Sequence, residues 1–436
     1  MRRIAISGLV ALAAVLGGVA VPETAMAQST AAVRSTATAR PSIAARPAEV
    51  GSVVAVGQPT ISCLTATDCL SIEGSSVDGV GSATPTRIAR WNGSSWKRLG
   101  VAMPKGTRAD DLLGVSCPAA KSCLVVGDYF TSTSNSAPSR VLALSYNGTS
   151  LKPTSAVPLP KGATSAELTG VSCPTTRYCV ALGAAEGDTA AFGQAGSLIL
   201  IETWNGAKWT LHTAAGSIGK TLVAPSVVSC ATTAFCVLAG VTFSDTANSG
   251  ATPLYLASWN GTRLTTMKPA PVSGKAGGLL LPAGVSCATD SNCAVTGTEL
   301  GNLSSSTTSS IAFTEIWNGK AWQLAKVALP KSAASSFTLG VSCYAAHTCE
   351  VVGEGGASAA QTAPLSAVAV SFNGTAGKVQ TVPAPPKGDS NAFASVSCLP
   401  RGTCVAIGET GKTTATSPPL MTGVWNGKSW KLEPGF

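Results

Sequence analysis

The chain has only two histidines, His212 and His347, among 436 residues. That scarcity excludes a His-based metal site and leaves little room for a Ser-His-Asp hydrolase. Charge is sparse as well, at 12% Asp, Glu, Lys and Arg, and aromatic residues make up 5%. Lysine and arginine do not gather into stripes with interleaved aromatics, and the formal net charge of +9 is modest for this length, so nothing points to nucleic acid as a partner. There is no Gly-x-Ser-x-Gly and no phosphate loop. Beyond the N-terminus no apolar run reaches the length of a membrane span, and no membrane association is expected.

The one long apolar run, residues 4–21, follows Arg2 and Arg3 and precedes Ala25-Met26-Ala27. This pattern predicts a signal peptide over residues 1–27. Gly8, Gly17, Gly18 and Ser7 interrupt the run, and no cysteine stands at the cleavage point to take a lipid. Residues 28–49, rich in Ala, Ser, Thr and Pro with Arg34, Arg40 and Arg46, read as a disordered basic linker. Residues 50–436 remain for a folded domain, expected to be secreted, extracellular and monomeric.

What the chain does have is repetition. Its fourteen cysteines fall in seven C-x5-C pairs: Cys63 and Cys69, Cys117 and Cys123, Cys173 and Cys179, Cys230 and Cys236, Cys287 and Cys293, Cys343 and Cys349, Cys398 and Cys404. The pairs recur every 54 to 57 residues. Apolar-alternating runs flank them, such as Leu113-Gly114-Val115-Ser116 before Cys117 and Leu124-Val125-Val126-Gly127 after Cys123. Two strands joined by so short a turn form a hairpin, and cysteines flanking the turn sit opposite one another. Each pair is therefore expected to close on itself as a disulfide worth on the order of 2 kcal/mol. Metal ligation is the competing reading, and an exported chain with isolated pairs and two histidines does not suit it.

A third run follows a Ser/Thr/Gly-rich loop, as in Leu198-Ile199-Leu200-Ile201, and ends in an aromatic residue followed by Asn-Gly. The seven Asn-Gly steps start at Asn92, Asn147, Asn205, Asn260, Asn318, Asn373 and Asn426. Asn-Gly tolerates positive φ at both turn positions, so a hairpin is predicted there. Asn92, Asn147, Asn260 and Asn373 also match a glycosylation sequon, which their place in the repeated turn explains better. A fourth strand begins just beyond, in four units with a second tryptophan: Trp96, Trp209, Trp322 and Trp430. These paired tryptophans are expected to pack between neighbouring units. Four antiparallel strands, A to D, in about 55 residues and seven copies predict an all-β, seven-bladed β-propeller. Glycines 114, 170, 284 and 340 in the first strands suit innermost strands crowded around an axis. Residues 51–56 have no counterpart elsewhere and could add a strand that latches blade 1 to blade 7.

On these residues the chain resembles kelch and galactose-oxidase-type propellers, and its C–D turn is similar to the Asp-box hairpin of sialidases. It departs from kelch in carrying one glycine after the second strand (Gly127, Gly183, Gly240, Gly297, Gly353, Gly408) instead of a doublet, and from the Asp box in replacing the acid with Asn. With its Val-Ser-Cys-Pro and Trp-Asn-Gly repeats it also looks like secreted propellers of high-GC Gram-positive bacteria, over residues 57–436. The resemblance implies a fold and no particular activity.

In such a blade the A–B and C–D turns emerge on one face, and the B–C and D–A loops on the other. The disulfide face reads as structural; the loop face is the usual address for ligands. An acid follows strand B in each unit: Glu73, Asp128, Glu186, Asp245, Glu299, Glu354 and Glu409. A lysine recurs in the D–A connections: Lys105, Lys161, Lys220, Lys275, Lys331 and Lys387. Together they predict a mixed ring of carboxylates and ammoniums around the axial mouth. Such a ring suits a glycan or a divalent cation, calcium being the ion that carboxylate oxygens would take. The plainer reading is inter-blade salt bridging on a solvated face.

No catalytic residues are assigned. His347 lies inside a disulfide turn, and His212 follows a D strand near a blade edge. The sialidase likeness would require an arginine triad at the axial mouth, yet only Arg108 and Arg140 suit that face, with Arg263 by a C–D turn and Arg177 inside an A–B turn. The expected function is non-catalytic binding of an extracellular carbohydrate or surface protein, without a required cofactor. The alternative is a carbohydrate-active hydrolase or lyase using the ring acids.

Overall fold

In the computed structural model the described residues are 59–73, 86–132, 137–187, 197–215, 217–218, 221–244, 254–271, 279–300, 310–326, 335–356, 364–412 and 419–436. They form seven sheets in sequence order, each an A–B–C–D antiparallel meander, and no helix occurs among them. Blade 3 shows the pattern: Ala163–Thr175, Tyr178–Gly187, Ser197–Trp204 and Trp209–Ala215. Blades 2 and 4 each add a two-residue strand, Gly100–Val101 and Ser217–Ile218. The seven-bladed propeller predicted from the repeat is the fold. The leader, the linker and the suggested latch strand all lie outside the described residues.

Strands B and C are predominantly apolar because each of their faces meets a neighbouring blade. Val125 packs towards blade 1 with Leu70, Ile72 and Ile88, while Leu124 and Val126 pack towards blade 3 with Leu168 and Val171. Strand alternation thus sends successive side chains into successive seams. Among the described residues every seam holds such an apolar cluster, including Ile61, Cys69 and Trp91 of blade 1 with Val405, Ile407 and Leu420 of blade 7, and a smaller one of Ala166, Ala185 and Leu200 adds to the blade 2–3 seam. The core is a ring of seams without a single centre.

All seven disulfides form within their own blades, as the spacing predicts: Cys63–Cys69, Cys117–Cys123, Cys173–Cys179, Cys230–Cys236, Cys287–Cys293, Cys343–Cys349 and Cys398–Cys404. Their Cα–Cα separations are 3.9 to 4.1 Å, and no described cysteine is free. The second cysteine of each pair lies deep in the sheet, with Cys236, Cys293 and Cys404 at 0% exposure and Cys349 at 1%. These bonds are therefore part of the seams as well as staples of the turns.

The serine before each first cysteine adds a second device. Its Oγ accepts the backbone N–H of the equivalent cysteine in the next blade: Ser62 from Cys117, Ser116 from Cys173, Ser172 from Cys230, Ser229 from Cys287, Ser286 from Cys343 and Ser342 from Cys398, at 2.8 to 3.0 Å. Ser397 completes the circle by accepting from Cys63 of blade 1 at 3.0 Å. Among the described residues the ring is closed by hydrogen bonds and packing, blades 1 and 7 each being built from their own consecutive strands. The C-terminal Phe436 lies against Trp96 of blade 1, ring centroids 5.0 Å apart.

The recurring glycines have two distinct causes. Gly183 faces a bulge in strand A between Leu168 and Gly170, where a Cβ would stand 1.9 Å from the Glu167 carbonyl oxygen. Gly340 sits where innermost strands of adjacent blades approach, and its Cβ would come within 2.8 Å of the Ser395 Cα.

The Asn-Gly turns differ from the two-residue hairpin predicted. Pairing of Trp91 with Trp96 leaves a four-residue loop, in which Gly93 alone has positive φ and the Asn92 Oδ1 accepts the N–H groups of Ser94 and Ser95. Asparagine is there as a side-chain cap. Five other units repeat this arrangement, whereas Asn373 ends its strand and pairs with Ala376 across a two-residue turn. The tryptophan pairs stack within a blade and reach into the seam: Trp204 and Trp209 lie 5.1 Å apart, and the Trp209 Nε1 donates to Thr154 of blade 2 at 2.9 Å.

Candidate functional site

Strand B carries its acids to the end that bears the B–C loops, and register decides where each points. Asp128, Glu354 and Glu409 stand five residues after Cys123, Cys349 and Cys404, on the same side of the strand as Val126, Val352 and Ile407. They enter the seams towards blades 3, 7 and 1. Glu73 stands four residues after Cys69, Glu299 six after Cys293 and Glu186 seven after Cys179. The acids therefore occupy four different register positions, and those of Glu73 and Glu299 lie on the opposite strand face. Asp128 and Glu354 are buried, at 3% and 1% exposure, and the other four are half-buried. Asp245, nine residues after Cys236, lies outside the described residues, as do Lys220, Lys275 and Lys331.

Two acidic groupings result. In the blade 2–3 seam, burial followed by the charges of Glu167, Asp111 and Asp110 pushes the Asp128 carboxyl well above the usual carboxylate range. Across blades 6, 7 and 1, burial raises Glu354 to about 8 with Glu409 adding to the shift, and burial raises Glu409 to about 7 with Glu73 adding to it. Burial also raises Glu73, opposed by its ion pair with Arg87. Among the described residues no three His, Cys, Asp or Glu side chains converge into a group that could hold a metal ion.

The lysines have a local reason to recur. Lys105, Lys161 and Lys387 each lie between a proline and a positive-φ glycine, in turns closed by Thr107 N–H to Pro104, Ala163 N–H to Pro160 and Asp389 N–H to Pro386. A Pro-Lys-Gly sequence with φ near 90° at the glycine is a type II turn, and the lysine occupies its outward corner. All three are exposed, and none forms an ion pair among the described residues. The structure thus brings the acids to the seams and the lysines to the rim of the same face.

The histidines occupy structural positions. His212 lies within the outer strand of blade 3, Trp209–Ala215, its ring 5.1 Å from that of Trp259 and its Nε2 3.1 Å from the Thr203 Oγ1. His347 sits in the Cys343–Cys349 turn with φ of 61° and gives its carbonyl to the Gly374 N–H.

Other buried acids lie outside the ring predicted from sequence, among them Glu202, Glu315 and Glu350, each at 0% exposure. Glu202 and Glu315 each stand two residues before the strand-C tryptophan, Trp204 and Trp317, and each is fully buried. Glu315 accepts the Ala270 N–H across the blade 4–5 seam at 2.9 Å, while neither Glu202 oxygen has a partner. Burial pushes Glu202 to about 8 and Glu315 to about 7. Their signal was in the alternation: an acid two residues before an inward tryptophan shares its face.

No family model matches the chain, and no curated protein matches it. Among solved structures it is similar to a polysaccharide lyase of family PL25, an ulvan lyase, at 11% identity over 75% of this chain and 81% of that one, with a TM-score of 0.45. It is similar to the β-propeller domain of the trilobed protease from Pyrococcus furiosus, described as having an open velcro topology, at 8% identity over 86% and 96% with a TM-score of 0.45. It is also similar to the fucose-specific lectin from Aleuria aurantia, at 10% identity over 74% and 95% with a TM-score of 0.38. The propellers it is similar to thus include both a carbohydrate-binding lectin and a carbohydrate-cleaving enzyme.

Proposed function

We propose that this chain is an exported binding propeller whose loop face holds an extracellular carbohydrate. The observation that carries the reading is the division of labour between the faces. Six of seven C–D turns are held by the same asparagine cap and every A–B turn by a disulfide, so one side is a rigid frame. The B–C and D–A connections leave the other end of the blades, where the described residues present exposed lysines and half-buried acids. Varied loops on a rigid frame are how a propeller presents a recognition surface. The test is a glycan panel probed in calcium and in chelator; clean silence across it would leave a protein partner or a spacer role.

A second reading rests on Glu354 and Glu409. Two interacting carboxyls in adjacent seams, Glu354 raised to about 8 and Glu409 to about 7, would ionise in turn, and a protonated acid beside an ionised partner is what general acid–base cleavage of a glycosidic bond uses. A reducing-end assay on any glycan that binds separates the two readings.

A further inference from the structure

Residues 1–49 supply +3 of the formal charge of +9, with five arginines against two glutamates, yet the surface of the described residues is strongly positive. Among the described residues Asp290 is the single exposed acid; every other described acid is buried or half-buried. The described basic side chains are distributed in the opposite way, with only Arg87 and Arg90 among them withheld from full exposure, each in an ion pair. The disulfide face shows the asymmetry most sharply. Its A–B turns present Lys121, Arg177 and Arg401, and its C–D turns present Lys208, Arg263, Lys320 and Lys428, all exposed. Against these seven cations stand Asp290 and Asp68, and Asp68 is held by Arg90.

We propose that the disulfide face, distinct from the loop face, is a docking surface for an anionic polysaccharide. Its cations sit on some of the stiffest backbone in the molecule, beside disulfides and on asparagine-capped turns, so little chain entropy is lost on binding. Lys121 and Arg177 are aligned further by lying over Gly148 and Gly206 of the neighbouring C–D turns, where a Cβ would meet their Cγ atoms at 2.7 and 3.5 Å. Cations spread over tips of successive blades suit a polymer bearing charge at intervals, and release of its counterions supplies the affinity. Among the described residues the large fully exposed apolar side chains are Leu159, Ile311 and Leu324, none aromatic, and the tyrosines of the A–B turns, Tyr178 and Tyr344, are half-buried, which makes a poor stacking platform for unpaired bases. That favours a sulfated or uronate sugar polymer over single-stranded nucleic acid.

The test uses the whole oxidised protein on immobilised dextran sulfate and polygalacturonate, with neutral dextran and duplex DNA alongside. Binding to the two charged polysaccharides, weakened by salt, is expected. A face variant carrying Lys121→Asn, Arg177→Ser, Lys320→Ser and Lys428→Ser should lose at least about tenfold in affinity, with a log–log salt slope shallower by roughly three. An outer-strand variant of equal charge, carrying Lys97→Ser, Lys152→Ser, Lys268→Ser and Lys378→Ser on or beside the D strands, should keep most of the binding. All eight positions are exposed, so thermal unfolding should be unchanged in both. Equal loss in the two variants, equal binding to neutral dextran, tighter binding to duplex DNA, or no binding would each overturn the proposal. Binding of a neutral glycan elsewhere would leave the loop-face reading standing without it.

Discussion

The Cys63 N–H donates to the Ser397 Oγ at 3.0 Å, joining the first blade to the last. The same bond spans each of the other six seams, so the ring closes by a contact it uses everywhere. Ser397→Ala leaves the Cys63 N–H without its partner and should lower the unfolding free energy by about 1 kcal/mol. Chemical denaturation with the disulfides intact checks this. A loss no larger than that of an exposed serine such as Ser94→Ala would show that packing alone closes the ring.

Stability should fall as pH rises. Glu202 and Glu354 are held at about 8, and Glu315, Glu350 and Glu409 at about 7, all from an ordinary 4.5 and chiefly by burial. The folded chain thus keeps protons that the unfolded chain sheds between about 4.5 and 8, so their favourable contribution is whole below 4.5 and is lost through that window. The melting temperature should be higher at pH 5.5 than at pH 8.5. Glu202→Gln should raise it at the alkaline end and flatten the profile. A melting temperature that climbs with pH would contradict the burial assignments.

The inter-blade tryptophans can be dissected at Trp209. Trp209→Phe keeps the ring contact with Trp204 and removes the bond to Thr154, for a loss of about 1 kcal/mol. Trp209→Ala empties part of the blade 2–3 seam and should cost about 3 to 5 kcal/mol. Similar losses for both, measured by denaturant titration, would mean that the indole N–H rather than the ring holds the seam.

Strand glycines and turn glycines should respond differently to the same substitution. Gly183→Ala drives a methyl into the Glu167 carbonyl and is expected to prevent accumulation of folded protein. Gly427→Ala meets open space and bears only the strain of φ near 92°, about 1 kcal/mol. Yield and melting temperature of the oxidised proteins report both.

The fold was legible because the repeat states it several times over: cysteine spacing sets the A–B hairpin, Asn-Gly sets the C–D turn, and the period sets the blade. The role of the serine in Val-Ser-Cys was not legible, since its partner lies a whole repeat away, as Ser62 and Cys117 do. The acid ring was only partly so. Glu73, Glu186, Glu299 and Glu354 look equivalent in a series of loops, yet a shift of one residue turns a side chain to the other face of a strand. Only Asp128, Glu354 and Glu409 share a register, and they enter seams instead of meeting at one point. Lys105, Lys161 and Lys387 recur because Pro-Lys-Gly makes the turn before a new blade, a reason that is complete without any ligand.

The binding role of the loop face is tested most directly by a glycan panel with the intact oxidised protein and a loop-face variant carrying Lys105→Ser, Lys161→Ser, Lys387→Ser and Glu186→Ala. The account predicts a defined glycan hit that this variant loses and that the disulfide-face variant retains. A hit untouched by the loop-face substitutions, or no glycan hit in either calcium or chelator, would contradict it.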